Sequence, residues 1–243
     1  MKAIILAAGM GNRISKLSDG LPKSMFEFGN SSIIHFQIEQ CLLNNINNFV
    51  IVLGYKYDIL KSHVLEILSE NQVQFVRNDN FAKTNTLYSL WLARDYMKED
   101  FVYFNADVLF HPDLLKKISK KSKFSELLLE TKSCAEEEVK MILDENMKVL
   151  EIGKKLRVED CAGEFIGIGK FNNEINNTFI KYLQYGVDNG QQNNYFEYAV
   201  NLLVKEETII AVPTDDLPCI EIDFPEDLIK ARNEVFPEIH RIK

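Results

Sequence analysis

The feature that most constrains the fold is an alternation of short apolar runs with helical patterns in the first half of the chain. The apolar runs lie at residues 3–7, 49–53, 73–76 and 101–104, and a stretch with apolar residues at helical spacing follows each one. Continuous apolar runs of this length are typical of strands that are buried on both faces. The alternation therefore predicts an α/β fold, with a mostly parallel sheet flanked by helices.

The second half of the chain is less regular. Short strand patterns occur at residues 126–132, 139–143, 149–152, 164–170, 209–212 and 219–222, and helical patterns at 172–183, at 195–204 and from Pro225. These short strands predict a small antiparallel addition to the sheet. The polar residues 184–194 between two helical patterns are predicted to form a loop. Because no linker or low-complexity tract interrupts the sequence, we expect a single domain over residues 1–243.

The predicted ends of the first four strands are rich in Gly, Asn, Asp and Arg. In open parallel sheets, ligands bind at the carboxyl ends of the strands. The strongest motif lies at the first such end, where Leu-Ala-Ala-Gly-Met-Gly-Asn-Arg occupies residues 6–13 and is followed by Pro22 and Lys23. A Gly-rich turn lets backbone N–H groups approach phosphate oxygens. The Arg13 guanidinium and the Lys23 ammonium then supply two cations for the same phosphates.

Two common dinucleotide and nucleotide motifs do not match this segment. A dinucleotide-binding fingerprint needs Gly or Ala where Ile14 stands, and a P-loop needs Gly before the Lys, whereas Pro22 precedes Lys23. The remaining pattern resembles the signature of the nucleotidyltransferases that activate sugar phosphates and alcohol phosphates. This resemblance implies a Rossmann-like sheet of the glycosyltransferase-A type. It also implies a nucleotide-binding half over residues 1–120 and an acceptor-binding half over residues 121–243.

Carboxylates at two strand ends are candidate metal ligands. Asp107 directly follows the fourth strand, where a carboxylate can bind a hard cation. Asp223 precedes Phe224 and Pro225, so a helix N-cap is an alternative role for it. The resemblance implies that Asp107 and Asp223 bind Mg²⁺, and Glu221 is a further candidate.

The resemblance also implies the reaction and the nucleotide site. An oxygen of the acceptor's phosphate or phosphonate attacks the α-phosphorus of a nucleoside triphosphate, and pyrophosphate leaves. Arg13 and Lys23 are the predicted catalytic residues. The predicted nucleotide-binding residues lie in the first loop and in three later segments: Leu6, Ala7, Ala8, Gly9, Met10, Gly11, Asn12, Arg13, Lys23, Tyr55, Asn85, Thr86 and Ser89.

The segment from Asn85 to Trp91 resembles the branch that makes CDP- or CMP-linked products, such as phosphocholine and phosphonate cytidylyltransferases. This favours CTP as the nucleotide and a small phosphorylated or phosphonate headgroup as the acceptor. Lys154 is then a candidate for the acceptor's phosphate, or else a solvated hairpin lysine. Glu164 is a candidate for an acceptor amine or hydroxyl. Tyr195 and Glu197 suit a choline or aminoethyl cation, although they also fit a helix core.

The formal net charge of −8 argues against binding of nucleic acid or of an anionic membrane surface, since both need a basic surface. The first apolar run stops at Gly9, too early to span a bilayer, and polar residues follow it at once. We therefore expect a cytoplasmic protein. Two alternatives to a cytidylyltransferase stay open: a sugar-1-phosphate nucleotidyltransferase, and a catalytically inactive nucleotide-binding regulatory domain.

Overall fold

The computed structural model describes residues 1–14, 17 and 20–241. Its strands are β1 (Lys2–Ala7), β2 (Glu27–Phe28), β3 (Ser31–Ser32), β4 (Phe49–Leu53), β5 (Val73–Arg77), β6 (Phe101–Asn105), β7 (Val108–Phe110), β8 (Ser125–Glu130), β9 (Lys140–Leu143), β10 (Val149–Gly153), β11 (Gly163–Phe171), β12 (Ile209–Pro213) and β13 (Cys219–Glu221). Its α-helices are α1 (Ile33–Leu43), α2 (Tyr57–Val64), α3 (Thr86–Leu92), α4 (Pro112–Ser119), α5 (Asn173–Asp188), α6 (Glu197–Leu203), α7 (Pro225–Lys230) and α8 (Phe236–Ile239).

One nine-stranded sheet includes strands from both halves of the chain. Strands β6, β1, β4 and β5 lie side by side and all pair in parallel, which confirms the prediction for the first half. Strand β11 joins this parallel core by pairing antiparallel with β6, and it also pairs with β8 and β9. Strands β10 and β12 then complete the sheet at β9 and β8. The second half therefore extends the sheet mainly with antiparallel strands, as predicted.

The two faces of the sheet bury separate apolar clusters. Alternate residues of β1 point to opposite faces, so that Ile4 packs with α3, α5 and α6 whereas Ile5 packs with α1, α2 and α4. Both side chains are fully buried. This two-sided burial explains why the parallel strands are apolar at nearly every position.

A third apolar cluster ties the C-terminal helices to the N-terminal half. Phe26 and Phe28, near the β2–β3 hairpin, pack with Leu228 of α7 and with Ile222, which follows β13. Strand β13 pairs with β7, the short strand directly after β6. The cluster therefore brings the residues after β13 to the carboxyl edge of the parallel strands.

Several predicted boundaries are wrong. Helix α5 continues to Asp188, so the loop predicted for residues 184–194 is shorter, and the next helix begins at Glu197. In this extension, the side-chain oxygen of Gln184 accepts a hydrogen bond from the indole N–H of Trp91 at 2.8 Å. Helix α3, which follows the third apolar run, ends at Leu92, and a short 3₁₀ turn follows.

The remaining polar loop is fixed to the start of α3. The backbone N–H of Asn85 donates to the Gln192 carbonyl, and the N–H of Phe196 donates to the Thr86 hydroxyl. Among the helices that the structure describes, none is both long enough and apolar enough to cross a bilayer.

Candidate active site

The loop after β1 is shaped for a close approach to Lys23. Gly11 has a positive φ of 61°, which L side chains rarely adopt. A Cβ on Gly11 would also lie 2.5 Å from the Cγ of Lys23, so the lysine stem occupies the space that glycine leaves free. The buried Ile14 side chain then anchors the end of the loop in the third apolar cluster. Glycine at this position therefore sets the path of the Lys23 side chain.

Lys23 lies between two carboxylates. Its Nζ is 2.5 Å from Oδ2 of Asp107 and 2.7 Å from Oδ1 of Asp223. Burial by itself lowers the pKa of Lys23, but the two carboxylates outweigh this effect and raise its pKa above the ordinary value. The ammonium is therefore charged at every physiological pH.

The two aspartates reach this point from distant parts of the sequence. Asp107 lies in the turn between β6 and β7, and Asp223 follows β13, the strand that pairs with β7. The backbone N–H of Ile222 donates to the Asp107 carbonyl at 3.0 Å and joins the two segments directly. The pairing of β7 with β13 thus determines the distance between the two carboxylates.

The alternative of Asp223 as a helix N-cap is wrong. Phe224 is the N-cap of α7, and the carboxylate of Asp227 accepts hydrogen bonds from the backbone N–H groups of both Asp223 and Phe224. The Asp223 carboxylate is consequently directed to Lys23. Burial by itself raises the pKa of Asp223. The Lys23 ammonium outweighs this effect, so the pKa of Asp223 lies below its ordinary value.

These carboxylates form an oxygen donor set that fits a divalent cation. Because Asp107 and Asp223 both contact one nitrogen atom, their oxygens lie around a single point. The carboxylate of Glu221 is the third acid here. Its Oε1 accepts a hydrogen bond from the Asn105 side chain at 2.9 Å, and burial and the two aspartates raise its pKa well above the ordinary value. Carboxylate oxygens are the ligands that Mg²⁺ prefers.

Arg13 lies at the mouth of the site. Its side chain is 44% exposed, and its guanidinium is 3.4 Å from Asp223 and 3.8 Å from Glu137. It also stacks on the ring of Phe224 at 4.8 Å. The guanidinium is therefore held toward the carboxylates but keeps a face open to an anion.

A cluster of amide and hydroxyl groups lies across the cleft from Lys23. The Asn78 side chain, at the end of β5, donates hydrogen bonds to the hydroxyls of Thr84 and Ser89, both at 3.1 Å. Asn85 caps α3 and precedes Thr86. These groups offer several hydrogen-bonding partners to a polar heterocycle or a ribose.

The far end of the cleft has both an ammonium and a buried carboxylate. The Lys154 ammonium lies 4.9 Å from the centre of the Tyr195 ring. Glu197 begins α6 and is 6% exposed. Burial raises the pKa of Glu197 to about 7, and its own backbone N–H and the Lys154 charge only partly offset this increase.

The structure brings most of the predicted residues to one cleft of about 370 Å³. The predicted residues that line it are Leu6, Ala7, Ala8, Gly9, Gly11, Asn12, Arg13, Lys23, Asn85, Thr86, Ser89, Asp107, Lys154, Tyr195, Glu197, Glu221 and Asp223. Its lining also includes Asn78, Tyr103 and Asn105, which the sequence analysis missed. These residues could have been found from the sequence, because they lie at or near the ends of the predicted strands β5 and β6.

Three predicted residues lie outside the lining of this cleft. The Tyr55 hydroxyl donates to the Gly20 carbonyl at 3.0 Å, and Met10 belongs to the loop but not to the lining. The expectation that Glu164 contacts an acceptor does not fit the structure, because its carboxylate is paired with Lys132 at 2.7 Å. Burial raises the pKa of Glu164 to about 7 although Lys132 opposes this. Its pairing partners on β8 and β9 determine this position, and the sequence pattern does not reveal them.

Comparisons with known proteins agree with this geometry. A family model described as Nucleotidyl transferase matches residues 2–141, more than half of the chain. A CTP:phosphoglutamine cytidylyltransferase of Campylobacter jejuni is 28% identical, over 94% of this chain and 98% of the relative. A choline-phosphate cytidylyltransferase of Streptococcus pneumoniae is 31% identical over 51% of this chain and 53% of the relative.

A solved structure supports the predicted Rossmann-like fold. The inositol-1-phosphate CTP transferase from T. maritima superimposes with a TM-score of 0.82 and 22% identity, over 100% of this chain and 96% of that structure. The glycine-rich loop, the charged cleft at the strand ends and the family match thus agree with one another. The chain is therefore an enzyme that belongs to the nucleotidyl transferase family.

Proposed function

We propose that this protein transfers CMP from CTP to a small acceptor that bears a phosphate or phosphonate group, with Mg²⁺ as cofactor and release of pyrophosphate. The observation that supports this most directly is the Lys23 ammonium between Asp107 and Asp223, in a cleft at the ends of the parallel strands. The cytidylyltransferases among the relatives favour CTP over other nucleotides. Their acceptors differ, and a phosphate headgroup is the feature they share.

In the proposed site, Asp107 and Asp223 hold Mg²⁺ and Lys23 contacts the α-phosphate. Bound Mg²⁺ neutralises negative charge on the phosphates. Arg13, at the mouth, binds the β- and γ-phosphates that depart as pyrophosphate. The backbone of the first loop supports the same phosphates, and Asn85, Thr86 and Ser89 bind the base and ribose.

The proposed reaction needs positioning and charge neutralisation more than proton transfer. An anionic oxygen of the acceptor attacks the α-phosphorus of CTP and forms a new P–O bond. The bond from the α-phosphorus to its bridging oxygen breaks, and that oxygen leaves with the electron pair as part of pyrophosphate. Since the attacking oxygen is already ionised at neutral pH, no general base is required. Lys154 brings this oxygen into line by binding the acceptor's phosphate or phosphonate.

The proposal is tested by measuring pyrophosphate release from CTP, UTP, GTP and dTTP with Mg²⁺. The acceptor panel contains phosphocholine, phosphoethanolamine, 2-aminoethylphosphonate and glucose 1-phosphate. We expect release with CTP and a headgroup acceptor, and loss of release in an Asp107→Asn variant. Preference for UTP, GTP or dTTP with the sugar phosphate would instead identify a sugar-1-phosphate nucleotidyltransferase. Nucleotide binding without release from any pair would favour the inactive regulatory domain.

A further inference from the structure

The carboxylate of Glu197 is an unused hydrogen-bond acceptor inside the cleft. The residue is 6% exposed, and its Oε2 has no hydrogen-bond partner among the residues that the structure describes. Leaving a buried polar atom unpaired destabilises the protein. Because Glu197 also lines the cleft, a bound molecule with a hydrogen-bond donor can remove this destabilisation. The unpaired oxygen of Glu197 therefore indicates a ligand with a group that donates a hydrogen bond to this carboxylate.

Tyr195, which lines the cleft two positions before Glu197, is already covered by a cation of the chain. The Lys154 ammonium lies over Tyr195, at 4.9 Å from the ring centre. A quaternary ammonium binds best to open aromatic faces. At Tyr195, a quaternary ammonium would meet the like charge of Lys154. It also has no N–H group to donate to Glu197. Both observations disfavour a trimethylammonium headgroup.

Lys154 and Glu197 give this end of the cleft one positive and one negative group. Lys154, Glu197 and Asp223 all line the same cleft, so the Lys154 ammonium shares this space with both carboxylates. An acceptor with an anion near Lys154 and a cation near Glu197 complements these charges. The anion then lies in the same cleft as Asp223, where the proposed reaction requires the attacking oxygen.

We propose that Glu197 binds a primary ammonium group of the acceptor, and that the substrate class is a small aminoalkyl phosphate or phosphonate. This inference rests on the function proposed above, since it assigns the headgroup of the same acceptor. Glu197 acts here as a specificity-determining residue, while Lys154 binds the phosphate end.

A series of acceptors that differ only in N-methylation tests the proposal. Phosphoethanolamine, its N-methyl and N,N-dimethyl derivatives, and phosphocholine are compared by kcat/KM with CTP and Mg²⁺. The ammonium groups of the first three keep an N–H, whereas phosphocholine has none. We expect the steepest fall, roughly 10- to 100-fold, at the last methyl group, because the hydrogen bond to Glu197 is lost there. Equal or better use of phosphocholine would overturn the proposal.

A Glu197→Gln variant tests the residue itself. With 2-aminoethylphosphonate, we expect KM to rise roughly 10- to 100-fold, while KM for CTP stays unchanged. With 2-hydroxyethylphosphonate, which lacks the ammonium, we expect little change. The matched control is Glu151→Gln, a substitution at an exposed position of the neighbouring strand β10. An equal loss with the amine and the hydroxyl acceptor would show that Glu197 has only a structural role.

Calorimetric binding separates this inference from the proposed function. If no acceptor releases pyrophosphate, the proposed function fails, and binding of 2-aminoethylphosphonate is then compared between the wild-type protein and Glu197→Gln. Binding that weakens in the variant supports the ammonium site. Binding that is absent, or equal in both proteins, contradicts it.

Discussion

At the scale of single residues, Lys23 depends on groups that are far apart in the sequence. Its stem lies against Gly11, and its ammonium lies between Asp107 and Asp223. The two carboxylates would repel each other without a cation between them. In the proposed function, Mg²⁺ and the α-phosphate share the charge balance with Lys23. In the proposed function, the ammonium therefore both offsets the repulsion of the carboxylates and acts in the reaction.

A Lys23→Met substitution tests this role at the residue scale. Methionine keeps most of the stem that packs on Gly11 and removes only the charge. We expect kcat for pyrophosphate release to fall by about 10²–10³, the usual effect of removing one group that stabilises developing charge. Lys181→Met, at an exposed position of α5, is the control and should retain full activity. Wild-type turnover in Lys23→Met would contradict the assigned role.

At the scale of elements, the turn between β6 and β7 is held from behind by helix α1. The fully buried Gln37 side chain donates hydrogen bonds from its Nε2 to the carbonyls of Asn105 and Val108, both at 2.9 Å. These two carbonyls flank Asp107. The Tyr103 hydroxyl donates to the Asn105 side chain from inside the sheet. Helix α1 therefore fixes the turn without touching the cleft itself.

A Gln37→Leu substitution tests whether helix α1 positions the turn between β6 and β7. Leucine is similar in size but leaves both carbonyls without this donor, so we expect a loss of about 1–3 kcal/mol in the free energy of unfolding. We also expect calorimetric affinity for Mn²⁺ or Mg²⁺ to fall about tenfold, because Asp107 is less well placed. Gln40→Leu, one turn later on α1, is the control. Unchanged metal affinity in Gln37→Leu would show that the turn is held by other contacts.

At the scale of the whole molecule, one sheet connects the proposed nucleotide-binding and acceptor-binding halves. Strand β11 from the second half pairs with β6, and β6 pairs with β1 at the centre of the parallel core. Residues of both halves also share the apolar cluster on one face of the sheet. We therefore propose that the chain unfolds as one domain.

Calorimetry tests this cooperativity. We expect a single thermal transition whose calorimetric and van't Hoff enthalpies agree. Ile51→Ala in β4 and Phe165→Ala in β11 each empty a buried site. Each should cost about 3 kcal/mol and lower the same transition temperature by on the order of 10 °C. Two resolved transitions, each shifted by only one variant, would show that the halves unfold separately.

The parts that could be predicted are those whose signal is local. An apolar run buried on both faces is visible in the sequence itself, and the polar residues after β1 and β6 indicated the edge where the cleft lies. The end of α5 was predicted wrongly because residues 184–194 are polar as a run, whereas contacts such as that of Gln184 with Trp91 of α3 are not visible in the sequence. The expectation for Glu164 failed for a similar reason, since its partner Lys132 lies in the segment after β8, the strand that pairs with β11.

The sequence by itself determined the parallel core and the glycine-rich loop with its two cations, because hydrophobic period and backbone conformation are properties of neighbouring residues. Only the tertiary structure decided that Asp223 lies beside Asp107, since this requires β13 to pair with β7. It also decided that Lys154 covers Tyr195 while an oxygen of Glu197 stays unpaired. Such contacts depend on how distant elements pack, and no local pattern encodes them.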